Sequence, residues 1–291
     1  MFRRILITTD LTDGMYRLAN FIPSLAAGGI EKIVFCHVVP FQEGREIPKV
    51  DADKAEAARD RLSVALENPP EGVEVSVEIP SGRPLDNIQK LAETHDIEAI
   101  VLGTNARTLL DEKLFGSTTA ALSEQTKIPL LALRPPLIST YTCEELDLRC
   151  RHLFRYLMIP YDGSDAAKAA LDRIITYAEK RPENSLQQCL LVRVVEVSRR
   201  REILSEGQVE ESREMLAEAK SKLESIGLEV FTDVRQGEPL PEIMDMALEY
   251  DISAIAVSST SLPKILDWSR SSFANKVLRQ SWHPVLFFPP D

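Results

Sequence analysis

The sequence predicts two tandem α/β domains, each a doubly wound, five-stranded parallel sheet, and three observations predict them. The first is that the chain is written twice. SGRPLDNIQKLAETHDIEAIVLGT (Ser81–Thr104) is answered by QGEPLPEIMDMALEYDISAIAVSS (Gln236–Ser259), and Gly82/Gly237, Pro84/Pro239, Ile88/Ile243, Ile100/Ile255 and Pro129/Pro284 all keep an offset of 155. Upstream, RRILITTDLTD is answered by RYLMIPYDGSD, where Asp10 and Asp162 are 152 apart. A fixed offset over a long stretch marks a duplication. The second observation is that runs such as IVFCHVV and CLLVRVV are almost continuously apolar, as in strands covered on both faces. The third is that such runs alternate with segments of helical period, the pattern of a parallel sheet with helices on either side.

Taken in order, the first copy reads as strands at Arg4–Thr8, Lys32–Val38, Glu74–Ile79, Ala99–Leu102 and Leu130–Leu133. Helices lie between them at about Asp13–Leu25, Ala52–Leu66, Pro84–Thr94 and Ser117–Thr126. The second copy repeats the strands at Tyr156–Pro160, Gln188–Val194, Glu229–Val234, Ala254–Val257 and Val285–Phe288. Pro135-Pro136 closes the last strand of the first copy, because proline cannot continue a ladder. The stretch that follows, STYTCEELDLRCRHLF, carries Leu146, Leu153 and Phe154 at the spacing of a short helix. The resulting division is residues 1–138, a connector at 139–152, and residues 153–291. A charged run in the second copy, SRRREILSEGQVEESREMLAEAKSKLESIG, places Ile203, Val209, Leu216, Ala219 and Leu223 amid alternating charge, which predicts a solvated helix face.

Composition excludes several classes. At 291 residues the chain exceeds one small core, 44% hydrophobic and 27% charged residues are those of a folded globular protein, and a net charge of −11 opposes general binding to nucleic acid or anionic membrane. Ile5-Leu6-Ile7 is far too short for a signal peptide's apolar core, so a cytoplasmic protein with no membrane and no nucleic-acid partner is expected. Cys36, Cys143, Cys150 and Cys189 form no C-x-x-C pair, so reduced thiols and no metal site are expected. No nucleophile elbow, H-E-x-x-H or P-loop is present, so no catalytic residue is assigned and a regulator is favoured over an enzyme.

In an open α/β sheet, ligands bind beyond the carboxyl ends of the strands, where the strand order reverses. Asp10 follows the first strand, Val38 ends the second and Gly103-Thr104 follows the fourth. Gly116-Ser117-Thr118 then opens a helix, offering free N–H groups, two hydroxyls and the positive end of the helix dipole to an anion. Asp10 and Asp162 are open to two roles, ligand contact or capping of the next helix. Gly103 is open to two as well, close approach to a ligand or a plain turn.

With these features the chain resembles the universal stress protein family in a tandem, two-domain form. The likeness rests on the Asp ending the first strand (ILITTD, LMIPYD), the strand end FCHVV, the G-x-P-x-x-x-I helix start and the glycine-serine loop. Nucleotide-binding members carry G-x-x-G, nine residues, then G-S/T; here Gly103-Thr-Asn-Ala106 is followed by nine residues and Gly116-Ser117-Thr118. The resemblance implies an adenine nucleotide alpha hydrolase-like, Rossmann-like fold and ATP or AMP, with Mg²⁺ arriving on the phosphates. It implies that Asp10 contacts the ribose or adenine, that Thr8 and Thr9 wall the base, and that Val38 offers backbone hydrogen bonds to the adenine edge. Gly103, Thr104 and Ala106 would line the phosphates, with Gly116, Ser117 and Thr118 holding them at the helix start. If the loop needs positive φ at Ala106, alanine there costs about 1 kcal/mol. The second copy has Ser258-Ser259-Thr260-Ser261, nine residues, then Ser271-Ser272, and is expected to bind no nucleotide.

The resemblance further implies an intrachain pseudo-dimer through the last strands, with an adenine nucleotide and an unidentified protein as partners. Three readings follow: a nucleotide-binding stress-response regulator, an interaction module of the same fold without nucleotide, and a weak ATP hydrolase.

Overall fold

The computed structural model describes residues 1–12, 14–41, 50–104, 117–196, 206–258 and 273–290. The chain divides into two compact units, Phe2–His152 and Leu153–Asp291.

In the first unit the elements are β1 (Arg4–Thr8), a 3₁₀ helix at Gly14–Phe21, α1 (Ile22–Ala27), β2 (Lys32–Cys36), α2 (Ala52–Leu62) and β3 (Glu74–Glu78). They continue with α3 (Pro84–Thr94), β4 (Ala99–Gly103), α4 (Ser117–Gln125), β5 (Leu130–Leu133), α5 (Pro135–Thr140) and α6 (Cys143–Arg151). The strands are parallel in the order β3-β2-β1-β4-β5, with Ile5 level with Ile33 on one side and Ala99 on the other. Their apolar runs bury on both faces as expected: Ile5, Leu6, Ile33, Val34, Phe35, Ile100 and Val101 are fully enclosed. The edge strand β3 stays half-exposed, and its Glu74 pairs with Lys32 at 3.0 Å, a charge that discourages further strand addition.

The helix expected over Asp13–Leu25 is instead two pieces, the 3₁₀ helix and α1. Pro23 has no N–H to donate and sits at the start of α1, so an unbroken α-helix through it is excluded. Gly14 lies so close to Ser139 that a Cβ would stand 2.5 Å from its Oγ. The helix expected over Ala52–Leu66 similarly ends at Leu62 and finishes as a 3₁₀ turn, Ser63–Leu66.

The connector residues pack within this unit. Thr142 and Glu145 form a reciprocal capping box at the start of α6, whose Leu146 and Cys150 are buried. Arg17 donates to the carbonyls of Ile138, Ser139 and Tyr141 at 2.6, 3.1 and 2.8 Å, satisfying acceptors that the end of α5 leaves open. Ser24 on α1 hydrogen-bonds Asp147 on α6, and a Cβ on Gly28 would stand 2.6 Å from the Arg151 carbonyl oxygen.

The second unit comprises β6 (Tyr156–Pro160), α7 (Asp165–Ala178), β7 (Gln188–Val195), α8 (Glu206–Glu224), β8 (Glu229–Gln236), α9 (Pro239–Glu249), β9 (Ala254–Ser258), α10 (Phe273–Gln280) and β10 (Val285–Phe288). Its parallel sheet runs β8-β7-β6-β9-β10. Helix α8 buries Leu216, Ala219 and Leu223 and carries ion pairs such as Lys220–Glu224 outside, as the charge pattern predicts. Ile203 lies outside the described residues.

The repeat extends to the backbone. After α3 and α9, Asp96 and Asp251 take φ 51° and 48°, left-handed positions that aspartate tolerates better than most residues. The N–H of Ile97 then reaches the Ala92 carbonyl at 2.9 Å and that of Asp96 reaches Glu93 at 3.3 Å, closing the helix with its last carbonyls satisfied.

Candidate functional site

Strand order reverses between β1 and β4 in the first unit, and most of the expected site residues gather at that edge. Thr9 is buried; its N–H donates to the Cys36 carbonyl at 3.0 Å, and its Oγ1 accepts from the N–H of Leu11 at 3.0 Å. Asp10 is exposed and turns the chain: its Oδ1 accepts from the N–H and Oγ1 of Thr12 at 2.8 and 2.9 Å. Asp10 thus anchors a turn rather than capping a regular helix. Thr8 is half-buried and donates across to the Val101 carbonyl at 3.4 Å.

Val38 follows β2. The N–H groups of His37 and Val39 donate towards β3, to Glu78 and Pro80 at 3.1 and 2.9 Å. Amide directions alternate along an extended chain, so the N–H and C=O of Val38 face the opposite way, into the space beyond the last β1–β2 hydrogen bond. His37 supports this edge: its Nδ1 lies 2.9 Å from the Thr9 carbonyl.

Gly103 ends β4 opposite Leu133. Thr104 is buried, its N–H and Oγ1 both donating to the Leu133 carbonyl at 2.8 and 3.3 Å. A residue that the sequence reading missed, Arg134, lies buried behind it and donates to the Thr104 carbonyl at 3.3 Å and to its hydroxyl. Burial pulls the Arg134 guanidinium down to about 10, which still leaves it a cation at neutral pH. The signal was a charged residue directly after the apolar strand LLAL. Thr118 is half-buried on α4; Ala106 and Gly116 lie outside the described residues, as does the side chain of Ser117. Thr8, Thr9, Asp10, Val38, Gly103 and Thr104 therefore line one edge.

The equivalent edge of the second unit holds a cavity of about 570 Å³. It lies beyond β6, β7 and β9 and is walled by Val194, Val257, Ile243, Phe273 and the α7 residues Ala167 and Ala170, with Asp162, Ser164, Arg193, Glu196 and Ser258 as its polar lining. Ser164 caps α7, accepting from the Ala167 N–H at 3.3 Å, and donates its own N–H to Asp162 Oδ1 at 3.0 Å. Ser258 stands where the first unit has Gly103 and donates its hydroxyl to the Phe288 carbonyl at 3.0 Å. Arg193 stands where the first unit has His37, and its Nε is buried with no hydrogen-bond partner. The degenerate loop of this copy gave no sign of such a cavity.

Among the described residues no cluster of His, Cys, Asp or Glu could hold a metal ion, and no helix is long and apolar enough to cross a membrane.

With the two sheets and their carboxyl edges in view, comparison with known proteins decides the family. The model of the universal stress protein family matches residues 1–134 and again residues 154–289. The chain belongs to the universal stress protein family. Universal stress protein YxiE of Bacillus subtilis is 30% identical over 150 residues, covering 46% of this chain and 98% of that protein. Universal stress protein MJ0531 of Methanocaldococcus jannaschii is 27% identical over 143 residues, covering 46% of this chain and 82% of that protein. Each relative thus corresponds to about half of this tandem member. A universal stress protein structure from Archaeoglobus fulgidus shares the fold along 99% of both chains, with a TM-score of 0.66 and 19% identity.

Proposed function

We propose that the first domain of this universal stress protein binds an adenine nucleotide, ATP or AMP with Mg²⁺ on the phosphates, and that the protein acts in the cytoplasm as a stress-response regulator that passes the nucleotide state to a protein partner. The observation that carries this reading is the edge at the β1/β4 reversal. There the N–H and C=O of Val38 point away from β3, to the side where Thr9 and Asp10 leave β1, and a purine edge needs just such a paired donor and acceptor. Asp10 is exposed on the same side, within reach of a ribose. Thr104 is engaged with Leu133 and Arg134, so the phosphates fall to the loop from Ala106 to Gly116 and to the start of α4 at Ser117 and Thr118, with buried Arg134 as a fixed positive charge behind Thr104. The second domain, without the glycines, then serves as the other half of an intrachain pseudo-dimer, a role the tandem repeat supports.

Titration calorimetry with ATP, ADP and AMP in the presence of Mg²⁺ tests this reading. We expect one nucleotide per chain. Gly116→Asp, which adds bulk and like charge at the anion site, should lower the affinity by at least about tenfold while leaving the melting curve in place. A stoichiometry of two, or an unaltered affinity in Gly116→Asp, would contradict it. Absence of any nucleotide binding would favour the plain interaction module.

A further inference from the structure

We propose that the cavity of the second domain takes a purine nucleoside and turns away the corresponding nucleotide. It is a different site from that of the first domain, and the proposal stands whether or not that domain binds nucleotide.

The backbone supplies the edge that a base would meet. Alternate residues of β7 turn their peptide groups to β6 and to β8: the Tyr161 N–H donates to the Val192 carbonyl at 2.8 Å, and the Gly237 N–H to that of Val195 at 3.1 Å. The N–H and C=O of Val194 therefore point away from β8, to the side where Tyr161 and Asp162 leave β6. Val194, Tyr161 and Asp162 all line the cavity of about 570 Å³, a size in the range of small-molecule sites. A donor and an acceptor fixed side by side on one strand match the complementary pair on the edge of a purine. Ile243, Val257 and Phe273, with Ala167 and Ala170, add hydrocarbon for the faces of a flat ring.

Charge and the lost loop set the class apart from a nucleotide. Asp162 and Glu196 line the cavity against a single arginine, Arg193, so the lining is net negative and repels a phosphate. Carboxylates accept hydrogen bonds, and the hydroxyls of a sugar donate them. Ser258 stands where the first domain has Gly103 and spends its hydroxyl on the Phe288 carbonyl at 3.0 Å. Pro289 stands, at the offset of 155, where the first domain has the buried cation Arg134. The start of α7 is already capped by Ser164 and carries Asp165 in its first turn, which opposes an anion there. The features that suit the first domain to phosphate are thus replaced in the second, whereas the base edge is kept.

The test titrates the full chain by calorimetry, in saturating Mg²⁺-ATP, with adenosine, inosine and guanosine, each beside its 5′-monophosphate. At least one nucleoside should bind one per chain, about tenfold or more tighter than its monophosphate, because the phosphate brings further negative charge to this lining. Methylation that removes the donor of the base edge, as in N6,N6-dimethyladenosine, 1-methylinosine and 1-methylguanosine, should weaken that nucleoside about tenfold. Ala170→Leu, which fills the cavity from α7, should abolish binding in a chain that still melts cooperatively. Glu196→Lys, at an exposed position that needs no repacking, should narrow the gap between nucleoside and monophosphate about tenfold. The proposal is overturned if no nucleoside saturates in the presence of ATP, if the monophosphate binds as tightly, if the methylated base binds alike, or if Glu196→Lys leaves the gap unaltered. The first domain's stoichiometry is read separately, with ATP, ADP and AMP alone, so either proposal can fail without the other.

Discussion

Asp10-Leu11-Thr12 and Asp162-Gly163-Ser164 make the same turn out of the first strand with different residues. In each, the aspartate Oδ1 accepts from the N–H two residues on, at 2.8 and 3.0 Å, and the residue between is left-handed, Leu11 at φ 65° and Gly163 at φ 74°. Glycine takes that conformation freely, whereas leucine carries about 1 kcal/mol of strain. Beyond the turn the copies part. Ser164 caps an unbroken α7, while Thr12 leads into a 3₁₀ helix pinned by α5 and α6. The lesson is that the route out of the strand survives the loss of the residue best suited to it, because the sheet on one side and the helix on the other determine the path.

The largest effect that should separate the copies is alkaline. Burial pushes the thiols of Cys36 and Cys150 in the first domain and Cys189 in the second up to about 12 from 9.0. Their folded pKa lies above the unfolded value, so the stability they support is complete below pH 9 and is lost as pH rises towards 12. Between about pH 9 and pH 10, each should cost about 1 kcal/mol, so that the first domain's two thiols cost about twice what the second's one does. Hydrogen exchange of the two domains across that interval checks it, and equal losses would break the comparison. At about pH 8, an aromatic disulfide reagent should titrate only exposed Cys143 in the native chain and all four cysteines after unfolding.

Next in size is the packing of α1 on α6. Gly28→Ala places a methyl 2.6 Å from a backbone carbonyl, which cannot swing away as a side chain can. Urea unfolding should show a loss of about 1–3 kcal/mol, confined to the first domain's transition. A change of under about 0.5 kcal/mol would mean that α6 shifts without cost.

Smallest is the turn itself, in a reciprocal pair. Leu11→Gly should stabilise the first domain by up to about 1 kcal/mol, offset in part by the greater freedom of glycine in the unfolded chain. Gly163→Leu should destabilise the second by about 1 kcal/mol or more, because a Cβ there also meets Met215 Sδ at 3.0 Å. Thermal melts of both variants test the pair, and equal signs would show that the two turns are not equivalent.

Much of this fold was legible. The limits of β1, β5, β6, β10 and α3 coincide with those read from the sequence, because an apolar run bounded by charges or prolines has few places to begin and end. The gathering of Thr8, Thr9, Asp10, Val38, Gly103 and Thr104 at one edge follows from parallel topology alone, since every strand of such a sheet presents its carboxyl end on the same side. The split of the first helix was signalled by Pro23, whereas the docking of α6 was less legible, because it depends on the close approach of Gly28 to the Arg151 carbonyl.

The sequence by itself determined the duplication, the two parallel sheets and the loss of the glycines from the second loop, because these depend on residue type and spacing along the chain. Only the tertiary structure decided that Thr104 is engaged by Arg134, that His37 finds an acceptor, and that the Nε of Arg193 in the same place finds none. Whether a buried polar group is satisfied depends on which atoms surround it in space, and residues far apart in the chain supply those atoms.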